Sequence, residues 1–324
     1  MKISILAPRE IPIPLSGYGG IELLAQDLFL ELIQRGHDVT IYCTPNGKST
    51  GTWTDEFPEI RMALRPYPAN KADLKEPQDL TLDFSHQKYG APYFNEREYI
   101  AYCFLTDNQS KINDVYATKA VRAGYPGAEN GKVIYPGIRN SYHYLKEKEG
   151  YLLFLGRLAM FKRPDIAIVA AQRAGKKIIV AGHGGEYARY PDPSYPVAIK
   201  QLADDNSIVL VEEPSQSKKV ELLSNASALL APSQWSIIGS KESFGIVAVE
   251  ALMSGIPVIT SGDGGLGEIV TPDVGFICSN MQEYVSAIKR IAEIDPEKCL
   301  ERGNYFSVAR FADDLLSYYK EISS

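Results

Sequence analysis

The sequence predicts an α/β protein made of two doubly wound halves, and three observations support this prediction. The chain has 324 residues, which fits two domains of about 100–200 residues each. Short apolar runs alternate with amphipathic segments in both halves, a pattern typical of parallel sheets covered by helices. A charged stretch poor in apolar residues, at 146–150, separates the two series and predicts a domain boundary after residue 145.

The first half opens with a βαβ unit. Residues 2–7 predict a short apolar strand, residues 16–20 a glycine-rich loop, and residues 21–32 a helix with leucines at helical spacing. Gly36 stops this helix, and the β-branched and aromatic run at 39–43 predicts the next strand. Two strands joined by a helix indicate a parallel pair.

The later elements follow the same alternation. Residues 44–79 are dominated by Pro, Gly, Asn, Thr and charges, which predicts mostly loop. The further strands of the first half are predicted at 80–84, 99–105 and 133–135. The second half predicts strands at 151–155, 177–181, 207–211, 228–231, 257–260 and 275–278. Its helices are predicted at 164–174, 216–225, 244–253 and 281–294, and a last helix at 308–322.

The composition excludes several classes of protein. Hydrophobic residues make up 45% and charged residues 23% of the chain, which supports a packed core rather than general disorder. The 34 basic and 40 acidic side chains give a net charge of −6, which disfavours a basic nucleic-acid binder. Four dispersed cysteines indicate free thiols rather than a disulfide framework or a zinc ribbon.

The N-terminal apolar run ends at Pro8 and is shorter than a secretory signal core. No run in the sequence approaches the roughly 20 apolar residues that a membrane span needs. We therefore expect a cytoplasmic protein. Peripheral contact with the inner membrane surface stays open.

The strongest local feature is a pair of glutamates, Glu242 and Glu250, eight residues apart in an apolar segment. A carboxylate buried in such a segment is costly unless it is paired. On a single helix the two would lie about 12 Å apart, which suits two hydroxyl-rich groups joined by a diphosphate. The helix start would offer N–H groups to the phosphates. The alternative is that Glu242 only complements the helix dipole and Glu250 only pairs with a Lys or Arg.

A second feature is the basic turn with Arg157 and Lys162. It follows the first strand of the second half, at the carboxyl edge of the sheet where α/β proteins bind ligands. Arginine and lysine are suited to neutralise a diphosphate. A solvated basic turn is the alternative.

Glycine-rich loops and one histidine follow other predicted strands. Glycines let the backbone approach a phosphate or a sugar closely, although none of these loops has the G-x-G-x-x-G spacing of a dinucleotide fold. His86 follows a strand end and is able to bind a sugar hydroxyl or a phosphate, with a half-buried structural role as the alternative. The acidic run 204–206 lies at the opposite edge of the sheet, so we expect no metal site there.

Together these residues resemble the large retaining glycosyltransferase family 4. The most specific match is the E-x7-E motif from Glu242 to Glu250. Residues 154–165 resemble the phosphate-binding turn of that family. Residues 19–22 and 264–270 resemble its N-terminal pattern and its late donor-site loop. The resemblance covers most of the chain and implies the GT-B fold, in which two Rossmann-like domains face each other across a cleft.

The resemblance also implies a division of roles. Residues 1–145 would form the acceptor-side domain, helix 306–324 would pack back on it, and residues 146–305 would bind the nucleotide-sugar. Glu250 would hold the ribose and Glu242 would contact the transferred sugar. Arg157 and Lys162 would stabilise the departing diphosphate, and His86 would reach the donor sugar or the acceptor. The other donor-binding positions implied are Gly19, Gly20, Gly182, Phe244, Gly245 and Gly265.

The implied reaction moves a sugar from a nucleotide-diphosphate-sugar to a hydroxyl acceptor, with retention at the anomeric carbon. No metal or other cofactor is required, and a UDP-sugar is favoured as donor over a GDP-sugar. The acceptor stays open between a glycan, a lipid-linked sugar and a small glycoside, and the oligomeric state is undetermined. Two alternatives remain: a non-hydrolysing sugar-nucleotide epimerase of the same fold and an inactive carbohydrate-binding protein.

Overall fold

The computed structural model of the chain divides into two compact units. The first comprises Met1–Arg139 and Phe306–Ser324, and the second comprises Asn140–Tyr305. The residues that the structure describes are 1–8, 13, 19–43, 64–66, 79–85, 88, 97–104, 113–184, 192–202 and 207–324.

The first unit is built on a parallel sheet. Its described strands are β1 Lys2–Leu6, β2 Asp38–Cys43, β3 Leu64–Pro66, β4 Leu80–Asp83, β5 Tyr99–Cys103, β6 Asp114–Tyr116 and β7 Lys132–Val133. They lie in the order β3-β2-β1-β4-β5-β6-β7. Because β1 pairs in parallel with both β2 and β4, the strand order reverses there. Ligands of open α/β sheets bind outside the carboxyl ends of strands at such a point.

Helix α1, Gly20–Gln34, follows β1 and buries its leucine face. Gly36 follows the C-terminal end of this helix, and its φ of 83° lies in the left-handed region, as expected of a glycine that stops a helix. A short helix, α2 Lys119–Arg122, begins at Thr118, whose side chain accepts a hydrogen bond from Val121 N. The sequence did not predict strand β6, nor strand β3, which lies within residues 44–79, where mostly loop was expected.

The second unit also holds a parallel sheet. Its described strands are β8 Leu152–Leu155, β9 Ile178–Gly182, β10 Ile208–Glu212, β11 Ala228–Ala231, β12 Val258–Thr260 and β13 Gly275–Ile277. Their order is β10-β9-β8-β11-β12-β13, with the reversal at β8, which pairs with β9 and β11. The doubly wound arrangement predicted for both halves is confirmed.

The helices of the second unit follow the strands in turn. They are α3 Pro164–Arg173, α4 Tyr195–Leu202, α5 Gln216–Asn225, α6 Ile246–Met253, α7 Leu266–Ile269, α8 Met281–Arg290 and α9 Pro296–Tyr305. Short 3₁₀ turns lie at Met160–Lys162, Trp235–Ile238 and Ile291–Glu293. The core combines strand residues such as Leu152 and Val180 with Ala167 and Ile168 of α3, all less than 2% exposed.

The last helix, α10 Val308–Ser323, belongs to the first unit. Phe311 lies edge-on against Phe84 and Tyr102, with ring centroids 6.3 and 5.2 Å away. Arg35 donates to the carbonyl of Ala309 at 2.8 Å and forms an ion pair with Asp313 at 2.5 Å. Aromatic packing and a charged rim therefore hold α10 within this unit. Across the described residues, the helices lack the combination of length and apolar character that a bilayer crossing requires.

Candidate functional site

The basic turn leaves the carboxyl end of β8. Gly156 N donates to the carbonyl of Ala181 and Leu158 N to that of His183, at 3.1 and 3.0 Å, so the turn is anchored on the residues that end β9. The 3₁₀ turn Met160–Lys162 then leads to Arg163, whose φ of 56° is left-handed. Pro164 begins α3, where its fixed φ and missing N–H are tolerated. This local structure places Lys162 at the carboxyl edge of the sheet.

Lys162 forms an ion pair with Glu242 in this turn. The Trp235 indole N–H donates to the same carboxylate at 2.9 Å. The Arg157 guanidinium lies 4.9 Å from the Phe161 ring centroid and 5.7 Å from that of Trp235. The side chains of Lys162 and Glu242 are only 17% and 10% exposed, so the alternative of a solvated basic turn is wrong for Lys162. Two cations, a carboxylate and two aromatic rings, tilted at 39° to each other, form one cluster.

Burial and the charges of this cluster shift the pKa of two carboxyl groups in opposite directions. Burial alone raises the pKa of Glu242, but the charge of Lys162, the hydrogen bonds from Lys162 and Trp235 and the charge of Arg157 outweigh burial and lower it. Burial raises the pKa of Asp263, and the charge of Glu242 adds to this, although Trp235 N donates to Asp263 at 2.6 Å. Glu242 is therefore held as an anion beside two cations.

The glycine loop at 262–267 packs closely against the backbone of the loop that contains Glu242 and Phe244. Gly265 N donates to the Glu242 carbonyl at 2.8 Å. A Cβ added to Gly264, whose φ is 56°, would lie 2.1 Å from that carbonyl oxygen, and one added to Gly265 would lie 2.6 Å from the Cα of Phe244. Only glycine permits this approach. The loop that contains Gly264 and Gly265 therefore sets the backbone position of Glu242 and Phe244.

Helix α6 begins at Ile246, after Gly245 in a left-handed conformation with φ 97° and without a side-chain cap. The predicted start at 244 is therefore wrong, because Gly245 turns the chain before the helix. Glu242 precedes the helix and only Glu250 lies on it, so the predicted rise of about 12 Å along one helix does not apply. The start of α6 still points N–H groups and the positive end of its dipole toward this edge.

Glu250 lies inside α6 and is 3% exposed. Its Oε1 accepts hydrogen bonds from the Tyr142 hydroxyl at 2.7 Å and from Lys219 Nζ at 2.6 Å. The ion pair proposed as the alternative for Glu250 is thus present. The alternative for Glu242 is not the observed arrangement, because Glu242 pairs with Lys162.

The remaining predicted positions are distributed between the two units. Gly182 ends β9, and a Cβ there would lie 1.9 Å from the carbonyl oxygen of Gly156, so packing already requires glycine at this position. Gly19 and Gly20 start α1 in the first unit, where Leu23 N donates to the Gly19 carbonyl at 3.1 Å. His86 and the run 204–206 lie outside the described residues. Their predicted roles stay predictions, as do those of the glycines.

Sequence reasoning missed four side chains that complete these clusters: Tyr142, Lys219, Trp235 and Asp263. Trp235 had a signal, because it closely follows the end of a predicted strand, as Arg157 does. Lys219 had none, because a lysine on an amphipathic helix predicts an exposed face. In the part of the chain that the structure describes, no cluster of three or more His, Cys, Asp or Glu side chains is able to hold a metal ion.

Solved structures of GT-B glycosyltransferases match the fold of this chain. AviGT4, a glycosyltransferase involved in avilamycin A biosynthesis, aligns with a TM-score of 0.81 and 22% identity over 99% of this chain and 98% of its own. HepE of Anabaena, solved in complex with UDP-glucose, aligns with a TM-score of 0.71 and 15% identity over 99% of this chain and 100% of its own. The predicted GT-B fold is confirmed.

The family model described as Glycosyl transferases group 1 matches residues 141–305, about half of the chain. The chain belongs to this family. The D-inositol 3-phosphate glycosyltransferase of Mycolicibacterium smegmatis is 27% identical over 62% of this chain and 47% of its own length. That of Mycobacterium marinum is 35% identical over 60% of this chain and 44% of its own. The chain thus spans about half or less of the length of these curated relatives.

Proposed function

We propose that the chain is a retaining glycosyltransferase that moves a sugar from a nucleotide-diphosphate-sugar to a hydroxyl acceptor. The observation that carries this proposal is the buried pair of Lys162 and Glu242, with Arg157 beside it, at the carboxyl edge of the second sheet. Cations stabilise a departing diphosphate, and a carboxylate is able to accept hydrogen bonds from sugar hydroxyls. A second buried carboxylate, Glu250, lies eight residues further on.

Family membership supports glycosyl transfer as the class of reaction. HepE of Anabaena was solved with UDP-glucose, which supports a UDP-sugar as donor, with a GDP-sugar as the alternative. We assign donor binding to residues 146–305. Acceptor binding is assigned to residues 1–145 together with helix 306–324. The N-terminal unit carries no side chain that identifies the acceptor among its described residues.

The chemistry assigned to the protein is electrostatic. Arg157 and Lys162 stabilise negative charge that develops on the diphosphate as the bond to the anomeric carbon breaks. The start of α6 adds partial positive charge. Glu242 exchanges Lys162 for hydroxyls of the transferred sugar. An oxygen of the leaving diphosphate accepts the proton of the attacking hydroxyl on the same face, so that the configuration is retained.

No metal ion is needed in this mechanism, because two side-chain cations and a helix start already supply positive charge to the diphosphate. Removal of divalent ions with EDTA is therefore expected to leave transfer unchanged. An activity that EDTA abolishes and Mg²⁺ restores would contradict metal independence.

The proposal is tested by incubating the chain with UDP-glucose, UDP-N-acetylglucosamine and GDP-mannose, with and without a panel of hydroxyl acceptors. We expect one donor to be consumed in an acceptor-dependent reaction, and NMR of the product to show the anomeric configuration of the donor. Quantitative conversion of the donor sugar without any acceptor would indicate an epimerase. A protein that binds sugars but neither binds nor turns over any nucleotide-sugar would be the inactive alternative.

A further inference from the structure

The contacts of Glu250 are unequal between its two oxygens. Both donors, the Tyr142 hydroxyl and Lys219 Nζ, bind Oε1, at 2.7 and 2.6 Å. Oε2 has no hydrogen-bond partner among the residues that the structure describes. A carboxylate offers about four acceptor positions on its two oxygens. Both hydrogen bonds to this carboxylate from described residues therefore reach the same oxygen, Oε1.

The donors come from parts of the second unit that are distant in sequence from the glutamate. Lys219 lies on α5 and Tyr142 lies before β8, which places them 31 and 108 residues from Glu250. The side chain of Lys219 is 18% exposed and that of Glu250 is 3% exposed. A buried carboxylate is stabilised by a paired cation and by a hydrogen bond on its lone pairs, and both are provided here at one oxygen.

We infer that Lys219 and Tyr142 are positioning residues that hold Oε1 of Glu250 so that Oε2 accepts hydrogen bonds from the ribose diol of the donor nucleotide. This inference rests on the proposed function, because it takes the ribose as the ligand of Glu250. In this role Lys219 contacts the carboxylate of Glu250 and not the donor. It acts through the carboxylate, by fixing its rotation and by keeping its own ammonium off the oxygen that the ribose uses.

The consequence is a preference for ribose over deoxyribose that depends on Lys219. A carboxylate fixed by two donors presents Oε2 in one direction, and a lost 2′-hydroxyl then leaves that oxygen without its partner. A carboxylate released from Lys219 rotates and finds water or another donor, so the missing hydroxyl costs less. The ratio of the dissociation constants of the deoxy and ribo nucleotides therefore measures how firmly Glu250 is held.

The experiment measures binding of UDP and 2′-deoxy-UDP, and of GDP and 2′-deoxy-GDP, by titration calorimetry. We expect the wild-type chain to bind the ribo form of its nucleotide about tenfold more tightly, as one hydrogen bond to a charged group predicts. Lys219→Met is expected to lower this ratio to about threefold or less. Lys219→Arg, which keeps a cation, is expected to restore most of it.

Lys218→Met is the matched control. Lys218 is the neighbour of Lys219 on α5, and its side chain is 41% exposed in an ion pair with Glu221 at 2.6 Å. This variant loses the same charge from the same helix and is expected to keep the wild-type ratio. Tyr142→Phe removes only the hydroxyl, so it tests the inference independently if Lys219→Met does not fold.

The outcomes separate the inference from the proposed function. A folded Lys219→Met or Tyr142→Phe variant with the wild-type ratio would overturn the positioning role. A wild-type chain that binds ribo and deoxy forms equally would also overturn it, while the nucleotide-sugar proposal would stand. A wild-type chain that binds none of the four nucleotides would contradict the proposed function itself.

Discussion

Glu242 and Glu250 belong to one short segment, are both buried and are both paired with a lysine, but they lie in different kinds of structure. Glu242 lies in a loop ahead of α6, and its partners Lys162 and Trp235 come from two other loops. Glu250 lies within α6, and its cation Lys219 stands on another helix. A lysine–glutamate ion pair is thus formed once between loops and once between helices.

This difference indicates two roles for two similar contacts. Side chains at loop ends are able to exchange partners without disturbing regular structure, so the Lys162–Glu242 pair fits a contact that opens when a diphosphate and a sugar bind. Side chains on helices are held more firmly, and sites on such elements are positioned more accurately. The Lys219–Glu250 pair therefore fits a fixed support. Substitutions in and around the two pairs are expected to separate these roles.

Lys162→Ala is expected to lower kcat/KM for glycosyl transfer by about 10²–10³-fold, the range for loss of one preorganised donor at a developing anion. Steady-state kinetics with the donor identified in the screen measures this. Lys176→Ala, which removes an exposed lysine of the same unit, serves as the control and should retain full activity. If Lys219→Met lowered kcat by as much as Lys162→Ala, the proposed separation of roles would be lost.

Gly264→Ala is expected to have the next largest effect, because it alters the loop that supports Glu242. The added Cβ would lie 2.1 Å from the Glu242 carbonyl oxygen, and overpacking of this kind costs about 1–3 kcal/mol. The left-handed φ adds about 1–2 kcal/mol for a residue with a Cβ. We expect a lower melting temperature and weaker nucleotide binding, measured by thermal unfolding and calorimetry.

Gly239→Ala is the matched control for this prediction. Gly239 also has a positive φ, 70°, but a Cβ there would meet no atom within 4 Å. It therefore carries the backbone strain without the crowding, and its melting temperature should fall less than that of Gly264→Ala. An equal fall in melting temperature in the two variants would show that the close contact of Gly264 with the Glu242 carbonyl contributes little to the position of Glu242.

The sequence predicted the surroundings of Glu242 better than those of Glu250, for a physical reason. Strands of the second sheet are apolar runs, so periodicity located them within a few residues, and basic side chains at a strand end indicate the ligand edge. Lys162 could therefore be predicted. Lys219 could not be predicted, because its ion pair with Glu250 depends on the packing of two helices whose residues lie 31 positions apart.

The start of α6 shows a second limit of sequence reasoning. The apolar run from Phe244 predicts helix, since hydrophobicity does not report backbone conformation. Gly245 adopts φ 97° and delays the helix to Ile246. A glycine inside an apolar pattern signals a break only when its conformation is known.

A smaller effect is expected from the pH dependence of stability. Because the folded pKa of Glu242 lies below its ordinary value of about 4.3, its ion pair contributes stability above that pH. The contribution is lost as the pH falls through the folded pKa. Asp263 contributes a pH dependence of stability with the opposite sign, because its pKa is raised in the folded chain.

Glu242→Gln should therefore weaken the loss of stability below pH 4.3 relative to the wild type, measured as melting temperature from pH 7 down to pH 3. Glu297→Gln, which alters an exposed carboxylate on α9, is the control and should follow the wild-type curve. An unchanged slope in Glu242→Gln would mean that the Lys162 pair contributes no pH-dependent stability.

The smallest effect is expected from Trp235→Phe. This variant tests whether the Lys162–Glu242 ion pair depends on more than its two charges. The substitution keeps an aromatic ring against Phe161, whose centroid lies 4.3 Å from that of Trp235, and removes the indole N–H that donates to Glu242 at 2.9 Å. Loss of one hydrogen bond to a charged group costs about 1.5–3 kcal/mol at most, and Lys162 still holds the carboxylate. We expect kcat/KM to fall by about tenfold, with kcat affected more than KM, because in the proposed mechanism Glu242 stays oriented while it exchanges Lys162 for the sugar. A rise in KM alone, or no change in either constant, would show that Lys162 orients this carboxylate without help from Trp235.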